Sequence, residues 1–210
     1  YLEKPRTLKK WFSHIFSPFE KFTVINNFSL KVNKGDFILI SGSNGSGKTT
    51  LLKLIAGITD PDKGKITTYG KIVPLIELSA GFNYELTGRE NIMINATILG
   101  IEKKRIKQII PKIINFSGLD NFIDVPLKRY SSGMVSRLAF SIAIFSQPDI
   151  LLLDEIFAVG DEKFRKKSTE QLKNFKKEGR TVILTTHIDY KFDFIDRYIK
   201  LKDSSSLKYV

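Results

Sequence analysis

Cysteine is absent from this 210-residue chain, and histidine occurs only twice, as His14 and His187. The first absence excludes disulfides and thiolate metal sites, and two histidines so far apart in sequence do not suggest a zinc cluster. A reducing compartment is compatible with that composition. Long hydrophobic runs are missing too. The nearest approach to the roughly 18 apolar residues of a membrane span, residues 138–153, is broken by Gln147, Pro148 and Asp149. The chain by itself is therefore expected to be soluble. No internal repeat or low-complexity tract is present, and the length suits one domain with room for an attached lobe.

Acidic residues are few: 22 Asp and Glu stand against 34 Lys and Arg, a net charge of +12. Such an excess invites a nucleic-acid or membrane-surface partner. The cations are spread over the N-terminal stretch, residues 103–112, residues 163–180 and the tail, without the dense run of a nucleic-acid arm. The prediction is solvated helix faces on a protein working near anionic lipid, with no nucleic acid bound. Because the first residue is Tyr1 and not methionine, the natural start is expected upstream, and a leader peptide is argued neither way.

What the chain does have is Gly42-Ser43-Asn44-Gly45-Ser46-Gly47-Lys48-Thr49, followed by Thr50, a full match to the phosphate-loop pattern G-x-x-x-x-G-K-[ST]. Phe37-Ile38-Leu39-Ile40 before it reads as a buried strand, and residues 50–56 after it read as a helix closed by Gly57. In that context the glycines let backbone N–H groups close around a polyphosphate. Lys48 reaches the β- and γ-phosphates, and the Thr49 hydroxyl is a ligand for Mg²⁺.

Upstream, Leu8, Trp11, Phe12, Ile15, Phe16 and Phe19 form one helical stripe over residues 8–19, suited either to a membrane surface or to the chain's own core. Short strands are predicted near residues 24–32, 37–40 and 64–69, a run that suits a small antiparallel layer beside the phosphate loop. From Thr87 the pattern turns helical, with Thr87 as N-cap and Glu90 as its capping-box partner. A second helix is expected over residues 102–116, bent or interrupted at Pro111, and a third after Gly133. Ile150-Leu151-Leu152-Leu153 and Thr181-Val182-Ile183-Leu184 suit buried parallel strands. The predicted fold is a single α/β domain over residues 1–210, a phosphate-loop core with a small antiparallel β layer and a helical subdomain inserted at approximately residues 87–147.

Hydrolysis of a bound nucleotide needs a carboxylate near the metal and a group that handles the attacking water. Asp154 and Glu155, at the end of the apolar run 150–153, supply both: Asp154 for Mg²⁺, Glu155 as general base. Taken alone, two acids after a strand suit ordinary loop residues as well as a metal and base pair; following a full phosphate loop, the second reading prevails. Tyr130-Ser131-Ser132-Gly133-Met134 opens a helix shortly before that strand, and its serine and free N–H groups make either a helix cap or an anion site.

The order of these pieces, ending in His187 after the strand 181–184, resembles the ATP-binding subunits of ABC transporters. The pentapeptide keeps Ser131 and Gly133 of that family's signature L-S-G-G-Q and departs from it at Tyr130, Ser132 and Met134. The resemblance implies a head-to-tail homodimer in which the signature faces ATP held by the phosphate loop of a second copy. It also implies that His187 is the switch histidine on the γ-phosphate and that Ala158-Val159-Gly160-Asp161 is the D-loop, with Asp161 retained. Glu77 stands where the family's metal-sensing glutamine lies, and Tyr1 is the nearest candidate for the adenine-stacking aromatic, ahead of Trp11 and Phe12.

Leu75-Ile76-Glu77-Leu78-Ser79-Ala80-Gly81-Phe82, Glu85-Leu86-Thr87-Gly88-Arg89-Glu90-Asn91-Ile92 and Tyr-Ser-Ser-Gly-Met look like the polysaccharide exporters among these ATPases, those for O-antigen, capsule and teichoic acid. That likeness runs from about residue 22 to His187. It implies a separate transmembrane permease, a lipid-linked glycan as cargo, and a peripheral position on the cytoplasmic face of the inner or plasma membrane. Some members carry a C-terminal sugar-binding domain. None is expected within these residues, which leaves glycan selection to the membrane subunit. Two other readings share part of the pattern: an ABC ATPase for a lipid or drug, and a soluble ABC-type ATPase acting on nucleic acid or ribosomes.

Overall fold

The computed structural model describes residues 23–76, 81–155, 161–187 and 192–201. Five short strands form one parallel sheet in the order β2-β3-β4-β1-β5. These are β1 (Phe37–Ser41), β2 (Ile72–Leu75), β3 (Ile150–Asp154), β4 (Thr181–Thr186) and β5 (Arg197–Lys200). The central strands are apolar at successive positions because both faces are covered. In β1, Phe37 and Leu39 join one hydrophobic cluster with Leu151, Leu153, Val182 and Leu184. Ile38 and Ile40, one residue out of phase, join another with Leu51, Leu52, Leu152 and Ile183. Each such fully buried aliphatic side chain contributes about 1.5–3 kcal/mol.

Helix α1 (Lys48–Ile55) covers the second face. The first is covered by α4 (Ser132–Phe145) and α5 (Glu162–Lys177). Helices α2 (Gly88–Ile98) and α3 (Lys103–Ser117) form a lobe with α4, around a separate cluster that includes Ile92, Ile109, Ile113, Leu138 and Ile142. Helix α4 serves both cores: Leu138 and Ile142 face the lobe, Ala139, Phe140 and Ala143 the sheet. That double burial is why its sequence is apolar nearly all round.

The capping box forms as the sequence predicts: Thr87 Oγ1 accepts from Glu90 N at 3.2 Å, and Thr87 N donates to Glu90 Oε2 at 2.8 Å. Two expectations differ. Of the bend or interruption expected at Pro111, the interruption does not occur, since α3 is one helix through it. The antiparallel layer is not formed among the described residues, where residues 24–32 and 64–69 carry no strand and every strand pair of the sheet is parallel. The apolar alternation at Phe28, Leu30 and Val32 is real, since these side chains pack on the β1–α1 cluster. Residues 64–69 are exposed throughout, so they have no buried face to fix a register against that segment. Strands β2 and β5 differ from the sequence reading: β2 carries Pro74, which an edge strand tolerates but which argues against a strand in sequence, and β5, Arg-Tyr-Ile-Lys, is a mostly exposed edge strand.

One carboxylate, just before the neighbouring edge strand β5, ties β1 to α5. Asp196 Oδ2 accepts from the buried Phe37 N at 2.9 Å, and Oδ1 accepts from Lys176 Nζ at 2.6 Å. Burial alone would raise its pKa, but the Lys176 and Phe37 hydrogen bonds outweigh it and hold the group below its ordinary value. A depressed carboxylate contributes stability that is present above the unfolded pKa, about 3.9 for Asp, and is lost as pH falls through the folded value. Asp196→Ala, which leaves the Phe37 amide unpaired, is expected to cost about 1–3 kcal/mol at neutral pH and to flatten the acid limb of Tm against pH. An unchanged acid limb would remove Asp196 from that account.

Candidate functional site

Because the strands are parallel, their carboxyl ends open on the same side of the sheet, where open α/β sheets bind ligands. Ser41 lies level with Thr186, and Asp154 with Thr185. The phosphate loop after β1, the acidic pair after β3 and His187 after β4 therefore meet, although up to 145 positions separate Gly42 from His187 along the chain.

The loop has the shape that its glycines predict. Gly45 and Gly47 have φ of 81° and 92°, a region that other residues enter at a cost. At Gly47 a Cβ would also lie 2.9 Å from Val24 Cγ1, whereas at Gly45 it would meet only open space. Gly47 is the N-cap of α1 and no side chain caps that terminus, so the helix's first N–H groups remain without intrahelical partners beside the loop. Lys48 is 5% exposed, and its Nζ donates to Gly42 O at 2.8 Å and Ser43 O at 3.0 Å. Ser46 Oγ is buried without a hydrogen-bond partner. Unpaired N–H groups, a held ammonium and an orphaned hydroxyl in one cradle fit a polyphosphate. Ser43, Asn44 and Gly45 are exposed at its rim, and Thr50 is half-buried in the first turn of α1.

Asp154 bridges two elements: its Oδ2 accepts from Thr49 Oγ1 at 2.6 Å and its Oδ1 from the buried Thr185 hydroxyl. The Thr49 hydroxyl and this carboxylate are hard oxygen donors of the kind a divalent cation takes alongside phosphate oxygens. Glu155 follows with φ of 53°, unusual for a residue with a side chain. Its N–H is directed at Thr185 O and Oγ1, both at 3.3 Å. Its Oε1 lies 3.7 Å from Lys48 Nζ and 3.3 Å from His187 Nδ1. An outlying backbone held at a cluster of polar groups is the pattern of a functional position.

Five predicted residues thus converge: Lys48, Thr49, Asp154, Glu155 and His187. The signature does not join them within one chain. Ser131 is the N-cap of α4, its Oγ accepting from Met134 N at 3.2 Å, and the Tyr130 hydroxyl donates to Phe122 O in the lobe. Asp161 caps α5 through Phe164 N at 2.8 Å and lies 3.6 Å from Arg137 Nη1. Glu77, Tyr1, Trp11 and Phe12, the amphipathic stretch 8–19 and Ala158-Val159-Gly160 lie outside the described residues.

Sequence reasoning missed Thr185, Arg137 and an apolar groove. Thr185 had only the weak signal of a hydroxyl at the end of an apolar run. Arg137 had a better one, as the single charge in the 14 residues of α4. The groove, of about 350 Å³, lies between β2 and the lobe and is lined by Val73, Leu75, Phe82, Ile98 and Ile142 among others. Its walls come from four separate parts of the chain.

A glycine cradle at a helix N-terminus, a lysine and threonine within it, and an Asp-Glu pair on a parallel strand of the same sheet define a phosphate-loop nucleotide hydrolase. The profile described as ABC transporter matches residues 25–158. Over 167 residues the chain is 46% identical to the O-antigen export system ATP-binding protein RfbB of Klebsiella pneumoniae, covering 80% of this chain and 68% of that protein. It is also 46% identical over 163 residues to the teichoic acids export ATP-binding protein TagH of Bacillus anthracis, covering 78% of this chain and 30% of that longer protein. The fold matches a dimeric ATP-binding cassette in a post-hydrolysis state bound to ADP and Pi, with a TM-score of 0.77 at 24% identity over 90% of this chain and 91% of that one. The chain belongs to the ABC transporter family, as its ATP-hydrolysing cassette.

Proposed function

We propose that this protein is the ATPase subunit that powers export of a lipid-linked polysaccharide through a separate transmembrane subunit. The observation that carries the engine is the meeting of Lys48, Thr49, Asp154, Glu155 and His187 at the carboxyl ends of β1, β3 and β4. The cargo rests on the relatives, which are named for O-antigen and teichoic acid export.

In the proposed reaction, residues 42–50 cradle the phosphates and Lys48 moves from its own loop's carbonyls to the β- and γ-oxygens. Thr49 and Asp154 would hold Mg²⁺, which would neutralise phosphate charge, and Glu77 is proposed as a further metal-site residue from its place in the sequence. Glu155 accepts the proton of a water whose oxygen attacks the γ-phosphorus. The bond to the bridging oxygen breaks, and ADP and phosphate are the products. His187, beside Glu155, contacts the γ-phosphate. The signature residues Tyr130, Ser131, Ser132, Gly133 and Met134 are tied to the lobe and to α4, Tyr130 through Phe122 O and Ser131 through Met134 N, and the fold matches a cassette solved as a dimer. That supports a homodimer in which they close on nucleotide held by the second copy, with Asp161 at the seam and Tyr1 near the adenine.

No helix among the described residues is long and apolar enough to cross a membrane. The apolar groove beside residue 76 suits a segment of the permease, which would hold the ATPase at the cytoplasmic face of the membrane. Depleting the protein in its host is expected to reduce surface glycan and to leave lipid-linked precursor inside, measured by extraction and mass analysis of both pools. Unchanged glycan with another substrate accumulating would refute the polysaccharide assignment while leaving the ATPase intact.

A further inference from the structure

Tyr130 stands where the ABC signature usually begins with leucine, and its side chain is anchored in the lobe. Its hydroxyl donates to Phe122 O at 2.7 Å. The ring packs on the lobe cluster. A Cβ placed on Gly88, the first residue of α2, would lie only 2.4 Å from the Tyr130 hydroxyl. The phenol is thus wedged between the start of α2 and the 3₁₀ turn Asp120–Phe122.

That surround is itself one rigid piece. Leu127 N donates to Leu86 O and Lys128 N to Tyr84 O, both at 2.9 Å, and Gly88 N donates to Val125 O at 3.3 Å, stitching residues 84–88 antiparallel to residues 125–128. Two ion pairs reinforce it: Arg89 with Asp124 at 2.7 Å and Lys128 with Glu85 at 2.6 Å. By contrast, Tyr130 and Ser131 are two extended residues, with ψ of 145° and 159°, between a short 3₁₀ turn and α4. Their backbone is held at each end, Tyr130 N donating to Leu127 O at 2.9 Å and Ser131 O accepting from Val135 N at 3.0 Å, and Ser131 Oγ caps α4 through Met134 N. The Tyr130 side chain adds the tie that fixes this entry to α4, and with it the Ser131 hydroxyl, against the lobe.

We propose that Tyr130 is a positioning residue: its hydroxyl bolts the signature to the frame formed by residues 84–88 and 122–128, and so aims Ser131 and the α4 N-terminus at the nucleotide of the second copy. This rests on the reading that Ser131 acts across the dimer. Burial raises the phenol's pKa above its ordinary value, so the hydroxyl stays a donor throughout the neutral range. Phe122 O also accepts from Val125 N at 2.9 Å, so removing the Tyr130 hydroxyl strands no buried group and Tyr130→Phe is a mild change for folding.

The test uses the purified full-length protein and its Tyr130→Phe, Ser131→Ala, double and Gly88→Ala variants. Tyr130→Phe is expected to lower kcat for ATP hydrolysis about 3- to 10-fold, the range one net hydrogen bond supports, with KM for ATP within about twofold. In a Glu155→Gln background the same change weakens ATP-driven dimerisation by a similar factor. The double variant is expected to be no slower than Ser131→Ala alone, because Tyr130 acts through Ser131. Gly88→Ala, which presses on the hydroxyl from the other side, lowers kcat in the same direction. A wild-type kcat in Tyr130→Phe, with or without a lower Tm, or an additive double variant, overturns the positioning role. Wild-type turnover and dimerisation in Ser131→Ala would instead overturn the trans-signature reading beneath it.

Discussion

A Glu155→Gln protein is expected to bind ATP, accumulate as a nucleotide-bound pair and hydrolyse at least about 100-fold more slowly than wild type, the usual loss when a general base is removed. The change is nearly isosteric. The Glu155 backbone is held by Thr185 on β4, so the amide occupies the same place beside Lys48 and His187. Gln cannot take up the proton of the attacking water. It also removes a negative charge 3.7 Å from Lys48, which lessens repulsion toward a polyphosphate and favours the bound state. Phosphate release and sedimentation of the purified variant with ATP would measure both effects. Normal turnover would mean that the base lies elsewhere and that the left-handed Glu155 backbone serves only the turn.

Lys48→Ala is expected to lose nucleotide binding and turnover together. The ammonium is almost fully buried, and its hydrogen bonds go to carbonyls of its own loop. It thus serves two purposes, drawing the loop closed and presenting positive charge to phosphate. Hydrogen bonds to a charged group are worth about 1.5–3 kcal/mol each, so one lost phosphate contact alone lowers affinity about 10- to 150-fold. Titration with a fluorescent ATP analogue would read this directly. If Lys48→Ala kept wild-type affinity while Glu155→Gln abolished turnover, phosphate binding would rest on the backbone N–H groups and the α1 N-terminus alone.

The two variants also separate what was legible in the sequence from what was not. Lys48 and Thr49 were readable because the phosphate loop is local chemistry: glycines at fixed offsets, a strand before and a helix after. Asp154 and Glu155 were readable because an apolar run ending in two acids marks the end of a buried strand. The capping box at Thr87 and Glu90 involves residues three apart, and it formed as read. Strand β5 carried almost no signal, since an edge strand with exposed residues lacks the apolar run that identifies its neighbours. The antiparallel layer failed for the complementary reason: residues 28–32 alternate as a strand does, but alternation records a buried face and not a hydrogen-bonded partner.

The candidate site divides along the same line. His187 was placed by its position after an apolar run and by family resemblance, whereas its 3.3 Å approach to Glu155 depends on β3 and β4 ending level. Thr185, which orients Asp154 from the adjacent strand, and Arg137, which reaches Asp161 from α4, had no local pattern to announce them. Tyr130 was read as a departure from the usual signature and as one of the five residues acting across the dimer, with no contact of its own. Its contacts with Phe122 and Gly88 exist because the lobe folds back on itself across residues that are 8 and 42 positions away.

By itself, then, the sequence determined the elements and the chemistry of each local motif, since glycine dihedrals, helix caps and apolar runs act over a few residues. Tertiary structure alone decided which motifs meet. Parallel strand order brings Lys48, Asp154, Glu155 and His187 to one end of the sheet, because long-range register is set by packing two faces at once, which no local pattern encodes.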